Sequence, residues 1–188
     1  MRLFNVPCLL SGLLFCAPLT LAQDQRNVIL IIGDGMDDHQ ITIARNYLEG
    51  AEGRLLLDQM PVRSTSQVLT IENEVDGKPV YVADSANTGT TMATGGITSR
   101  GRISTTAGDD RDIPTIVELA AAAGYKTGIV STASVTDATP AVFAAHISLR
   151  FCENPDSMVD IRYKDIPLGD CSSDLQSNGG PGSISEQL

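Results

Sequence analysis

Residues 27–35 read NVILIIGDG. Five apolar residues run without interruption from Val28 to Ile32, and four of them are β-branched. A strand with one wet face would alternate apolar and polar positions. This one does not, so the pattern predicts a strand over Asn27–Gly33 that is buried on both faces, as in parallel sheets. The glycines that follow predict a tight turn at the strand's C-terminal end. Ligands of open α/β sheets bind beyond such ends. Asp34 is therefore either a turn or cap residue, or a carboxylate held where it can reach a cation.

Working outward, Asp38–Glu49 places Ile41, Ala44, Arg45 and Leu48 at helical spacing, and Gly50 stops the helix. Val62–Thr70 reads as extended, Asn73–Pro79 as a turn, and Val80–Val82 as extended again. Residues 82–96, VADSANTGTTMATGG, are small and rich in hydroxyls, with a helix expected over Ala86–Thr94. Residues 96–112 form a loop. Pro114–Ala123 is a helix ended by Gly124, and Lys126–Thr132 is a strand. A short helix begins at Pro140 within Thr139–His146. Residues 153–182 are a long polar segment. The capping-box pattern Ser183-x-x-Glu186 then opens a helix where the chain ends, so the fold is expected to continue past Leu188. The β-α-β-α order predicts a doubly wound α/β sheet, mostly parallel, with helices on both faces and incomplete in this chain.

Composition narrows the class. Of the 188 residues, 42% are hydrophobic and only 4% aromatic, so small side chains must do much of the packing. Residues 1–22 carry an early Arg, no acid, an apolar run too short to span a membrane, and a small-residue end at Thr-Leu-Ala. They read as a secretory signal, with an uncleaved anchor as the rival reading. Its removal takes Arg2 and no acid, leaving 12 basic against 23 acidic residues and a net charge of −11 instead of −10. Such a surface repels nucleic acid and anionic membranes, so neither is an expected partner. It also means that any anion site must be built locally. Of four cysteines, Cys8 and Cys16 leave with the signal. Cys152 and Cys171 remain as a pair in an oxidising compartment, where a disulfide is the default. Chain entropy assigns a loop of this order roughly 3 kcal/mol.

Four features fall at or near strand ends. Asp34 is the first. Asp84-Ser85-Ala86 is the second: a Ser there would sit in the positive field of a helix N-terminus, but either residue could equally be an N-cap. Asp137-Ala138-Thr139-Pro140 is the third, with oxygen donors that suit Mg²⁺ or, alternatively, a plain helix start. Arg150 is the fourth, a fork matched to phosphate or an ordinary surface residue. No phosphate-cradling Gly-Lys loop, dinucleotide-binding glycine motif or Gly-x-Ser-x-Gly elbow occurs. With only His39 and His146, a Ser-His-Asp triad is poorly supplied, and a metal ion would be the alternative activator of a serine.

Three segments in order carry a resemblance. Asn27–Gly50 resembles the start of bacterial alkaline phosphatases. Val82–Thr90 is similar to that family's nucleophile signature. Val135–Arg150 (VTDATPAVFAAHISLR) is similar to its magnesium and arginine segment. The resemblance implies an N-terminal part of a catalytic domain over residues 23–188, periplasmic or secreted, hydrolysing phosphate monoesters through a covalent phosphoserine. Ser85 would be the nucleophile, activated by zinc. Asp34 would ligate metal shared between a zinc and the magnesium site. Asp84 would orient Arg150, and Arg150 would clamp phosphate oxygens. Asp137 would serve the magnesium site through water, Thr139 would ligate Mg²⁺ directly, and Cys152–Cys171 would match a family disulfide. The remaining ligands of two Zn²⁺ sites would come from outside this chain, leaving the fragment inactive alone. The resemblance allows a homodimer. Asn87 departs from the family pattern, standing where a small residue is usual. A phosphodiesterase of the same superfamily and a non-catalytic phosphate- or metal-binding protein remain as alternatives. A sulfatase is disfavoured by the lack of a Cys/Ser-x-Pro-x-Arg segment.

Overall fold

The computed structural model describes residues 27–188; the expected signal segment, residues 1–22, with Cys8 and Cys16, lies outside the described residues. The chain divides into two units, residues 1–33 and 34–188. Within the first unit, residues 27–33 form no strand, and Val28, Ile29 and Ile31 are exposed. The Lys126–Thr132 segment of the second unit likewise forms no strand, with Val130 fully exposed. The expected parallel sheet is thus not formed among the described residues. Its strands would need ladder partners and cover on both faces from distant sequence. Neither β-branching nor hydrophobicity builds a strand in isolation.

The second unit forms the elements whose signals are local. Helix α1 (Asp38–Glu49) is capped by Asp37, whose carboxylate accepts from the His39 and Gln40 amides, and Gln40 returns to the Asp37 amide. Gly50 ends it with φ 76°. Arg45 donates to both oxygens of Asp58 at 2.6 Å, fastening the 3₁₀ turn Leu56–Gln59 to α1. Strands β1 (Thr70–Ile71) and β2 (Pro79–Val80) pair antiparallel across the expected turn, a much shorter ribbon than the extended readings of 62–70 and 80–82.

Helices α2 (Ser85–Thr94), α3 (Ile116–Ala122) and α4 (Ala138–Ala141) follow. The core lies between α2 and α4. Ala86, Gly89, Thr90 and Ala93 are buried on α2, and Ala138 and Ala141 on α4, followed by Val142. Small residues allow this approach: a Cβ at Gly89 would stand 2.9 Å from Val142 Cγ2. An Ile103–Ile147 bridge closes the core from beneath. Two of the buried hydroxyls are satisfied by backbone, whereas Thr98 Oγ1, also buried, has no partner among the described residues. Thr90 Oγ1 donates to the Arg102 carbonyl and accepts from the Ser104 amide, and Ser104 Oγ donates to the Val142 carbonyl at 2.6 Å.

The polar segment 153–182 contains an antiparallel ribbon that its composition hid: β3 (Ile161–Tyr163) and β4 (Ile166–Gly169), joined at Lys164-Asp165. The chain closes with α5 (Ile184–Gln187), where Glu186 accepts from the Ser183 amide as the capping-box pattern predicts.

Candidate active site

Ser85 is the first residue of α2, and Asp84 is its N-cap. Of the two residues that could have capped the helix, Asp84 does so, and the Ser85 side chain turns to Asp34 instead. Ser85 Oγ donates to Asp34 at 2.9 and 3.1 Å. Thr139 Oγ1, from α4, donates to the same carboxylate at 2.7 Å. Residues 34, 85 and 139 thus converge on one point, from a turn and two helices packed together by small side chains. Hydrogen bonds from Thr139 and then Ser85 hold the Asp34 carboxyl below its ordinary range, with the Arg150 charge adding to them against slight burial.

A second cluster adjoins it. Arg150 Nη2 donates to Asp137 at 2.8 Å, and Nη1 faces Asp84 at 3.5 Å. Asp137 also caps α4 through the Ala138 amide at 2.7 Å. The Gly101 amide donates to both oxygens of Asp84, at 3.2 and 3.1 Å, while the Gly101 carbonyl accepts from the Arg150 amide at 2.7 Å. Gly101, with φ 83°, so joins Asp84 to Arg150. Residue type marks this position only as a glycine in a polar loop. All six expected residues are brought together in the second unit. Asn87 is fully buried and closes the cap of α2.

The donor set can be tested against a metal. One ionised carboxylate and two hydroxyl oxygens on it are hard donors, the kind that Mg²⁺ takes, and they would supply the oxygen share of a zinc centre. Among the described residues no group of three or more His, Cys, Asp or Glu side chains could hold a metal by themselves. His39 lies beside Asp37, and His146 holds the Ser104 carbonyl and Glu118. The residues present fit part of a metal centre whose nitrogen ligands they lack. Cys152 and Cys171, both buried, lie at disulfide distance with Cα atoms 6.4 Å apart. No helix among the described residues is long and apolar enough to cross a membrane.

Comparison with known proteins places the chain in a family. The chain is 46% identical over 162 residues to streptomycin-6-phosphate phosphatase of Streptomyces griseus, covering 86% of this chain and 33% of that protein. It is 42% identical over 164 residues to alkaline phosphatase of Escherichia coli K12, covering 87% and 32%. It spans about a third of the length of these relatives. Its structure is similar to a cold-active alkaline phosphatase from a psychrophilic Shewanella sp., with a TM-score of 0.52 and 29% identity over 63% of this chain and 29% of that one. The alkaline phosphatase family model matches residues 25–173, through the turn at Asp34, the start of α2 and the Asp137–Arg150 segment alike, and the chain belongs to the alkaline phosphatase family.

Proposed function

We propose that this chain supplies the nucleophile and the phosphate clamp of a metal-dependent phosphate monoester hydrolase. The observation that carries the reading is the convergence of Ser85, Thr139 and Asp34 beside the Arg150 guanidinium. In the first step Ser85 Oγ gives up its proton to water and forms a bond to phosphorus as the ester P–O bond breaks, and the leaving oxygen takes a proton from water. In the second, water attacks phosphorus, the Oγ–P bond breaks, Ser85 Oγ takes back a proton from that water and inorganic phosphate leaves. Asp34 is too weak a base to drive the first step, because its own hydrogen bonds hold it ionised. A bound cation would supply the missing charge, stabilising the serine alkoxide and the phosphoryl oxygens. Asp34, Ser85 and Thr139 would hold that cation through oxygen, with Asp137 nearby. Arg150 has one nitrogen firmly on Asp137 and the other only 3.5 Å from Asp84, so it can exchange the weaker contact for phosphate oxygens.

The rest of the reading follows the same family. Zinc and magnesium are the proposed metals, the remaining zinc ligands coming from the two-thirds of the relatives' length not spanned here. The proposed sheet is doubly wound, with the exposed apolar runs at 28–32 and near Val130 as its strands, and this segment alone is inactive. Residues 1–22 would direct export, leaving a periplasmic or secreted protein with the Cys152–Cys171 disulfide formed. A homodimer is compatible with the reading.

The test uses the full-length protein carrying this segment, supplied with Zn²⁺ and Mg²⁺. Acid quenching with a radiolabelled monoester should trap label on Ser85, and Ser85→Ala should remove the label and lower kcat at least ~10³-fold. Unlabelled protein with S85A turning over as wild type refutes the nucleophile. Faster cleavage of a diester than of its monoester would favour the phosphodiesterase. Streptomycin 6-phosphate belongs in the monoester panel because a relative's name specifies it.

A further inference from the structure

We propose that Asn87 is a positioning residue that sets the direction of Ser85 and Asp84 towards the phosphate. This rests on reading Ser85 as the nucleophile. Asn87 is fully buried two residues beyond Ser85, and both ends of its amide are used. Its Oδ1 accepts from the Asp84 amide at 2.8 Å, and its Nδ2 donates to the Leu69 carbonyl at 3.2 Å, beside β1. Its own backbone amide donates to Asp84 Oδ1 at 3.1 Å.

These bonds hold Asp84 from both sides. The backbone of Asp84 is pinned by the Asn87 side chain, and its carboxylate by the Asn87 and Gly101 amides. Asp84 is the N-cap, in extended conformation, and its ψ aims the next residue, Ser85. Its carboxylate also faces Arg150. The tether to Leu69 then fixes the whole first turn of α2 to the β1 side of the unit. The usual capping box places Glu or Gln at this position. A carboxamide presents an acceptor for the Asp84 amide and, on a separate atom, a donor for Leu69, and Asn is the shorter of the two carboxamides. An alanine at position 87 would leave the Asp84 N–H and the Leu69 carbonyl without these partners. A serine hydroxyl could accept from the Asp84 amide but is too short to hold both.

The series Asn, Ser, Ala at position 87 tests this in the full-length metal-loaded protein. Binding of inorganic phosphate is measured by calorimetry, with kcat and KM on a monoester and the thermal midpoint alongside. Misplacement of a reacting group by a fraction of an ångström is expected to weaken phosphate binding and lower kcat by about tenfold in N87A, and by about threefold in N87S. A purely structural Asn87 would move the thermal midpoint and leave phosphate affinity and kcat within about twofold of wild type. That result overturns the proposal, in N87S alone should N87A fail to fold. Full turnover by S85A would overturn the nucleophile reading instead, and the two failures are separable.

Discussion

Gly89 gives the sharpest test of how the site is assembled. It lies one turn beyond Ser85 on α2 and faces Val142, which is fully buried at the end of α4. Two effects of Gly89→Ala oppose each other. Replacing a mid-helix glycine by alanine stabilises a helix by about 1 kcal/mol. The added methyl, however, would stand 2.9 Å from Val142 Cγ2 and 3.3 Å from Cγ1. Valine is stiff at χ1 and cannot swing aside, so the helices must separate by some tenths of an ångström. Overpacking of this kind costs about 1–3 kcal/mol. The second effect wins, and G89A is expected to destabilise by about 1 kcal/mol. In a Val142→Ala background the clash is gone, and the same change should stabilise by about 1 kcal/mol. The coupling between the two sites is then about 2 kcal/mol, readable from denaturant midpoints of the four proteins. Because α2 carries Ser85 and α4 carries Thr139, kcat should fall in G89A as well. A stabilised G89A in the wild-type background, with no coupling to V142A, would show that the close contact does not govern this packing.

Two further expectations concern stability. Burial opposes the charge on His146, but the Ser104 carbonyl and the Glu118 and Asp112 carboxylates outweigh it and raise its pKa above 6.5. A raised folded pKa means stability that is fully present below the unfolded value and fades as pH climbs through the folded one. The thermal midpoint should therefore decline as pH rises from the ordinary histidine range through the raised folded-state value, more steeply in wild type than in E118Q; equal slopes would refute the pair. Replacing Cys152 and Cys171 together by alanine should lower stability by about 3 kcal/mol under oxidising conditions, for a link separated by 19 residues. Equal denaturation midpoints with and without reductant would argue that no bond forms.

What could be read from the sequence was what short-range chemistry determines. The helices expected near Asp38–Glu49, Ala86–Thr94 and Pro114–Ala123 and after Ser183 all formed, because spacing, first-turn proline, stopping glycine and capping pattern act within a turn or two of chain. The strands at 27–33 and 126–132 depend on neighbours distant in the chain, and their hydrophobicity alone left them unpaired. The β3–β4 ribbon is masked in the sequence for the opposite reason. Its signal, Ile-Arg-Tyr and Ile-Pro-Leu about a two-residue turn, is local but sits in a segment whose overall polarity reads as loop. At the candidate site, residue types offered Asp34, Ser85, Thr139 and Arg150 beside plain structural alternatives, because carboxylate, hydroxyl and guanidinium suit a metal or phosphate as well as a cap or a surface. Gly101 contributes a peptide N–H, which every non-proline residue has, so nothing in its identity marked it.

Formal charge explains why these residues need something more than one another. Asp34, Asp84 and Asp137 surround a single Arg150, three carboxylates to one guanidinium, for a formal site charge of −2 within a chain of −10. A phosphate monoester would bring about two further negative charges. At 4 Å and an effective dielectric of 20, each like-charged pair costs about 4 kcal/mol, more than one bidentate arginine returns. Hydrogen bonds already hold each carboxylate in place: hydroxyls on Asp34, peptide amides on Asp84, and an amide with Arg150 on Asp137. Under the proposed function, such an arrangement would keep negative charge where a dianion has to bind. Divalent cations would then have to reverse the sign of the site, and the lowered pKa of Asp34 is suited to metal binding rather than to proton transfer.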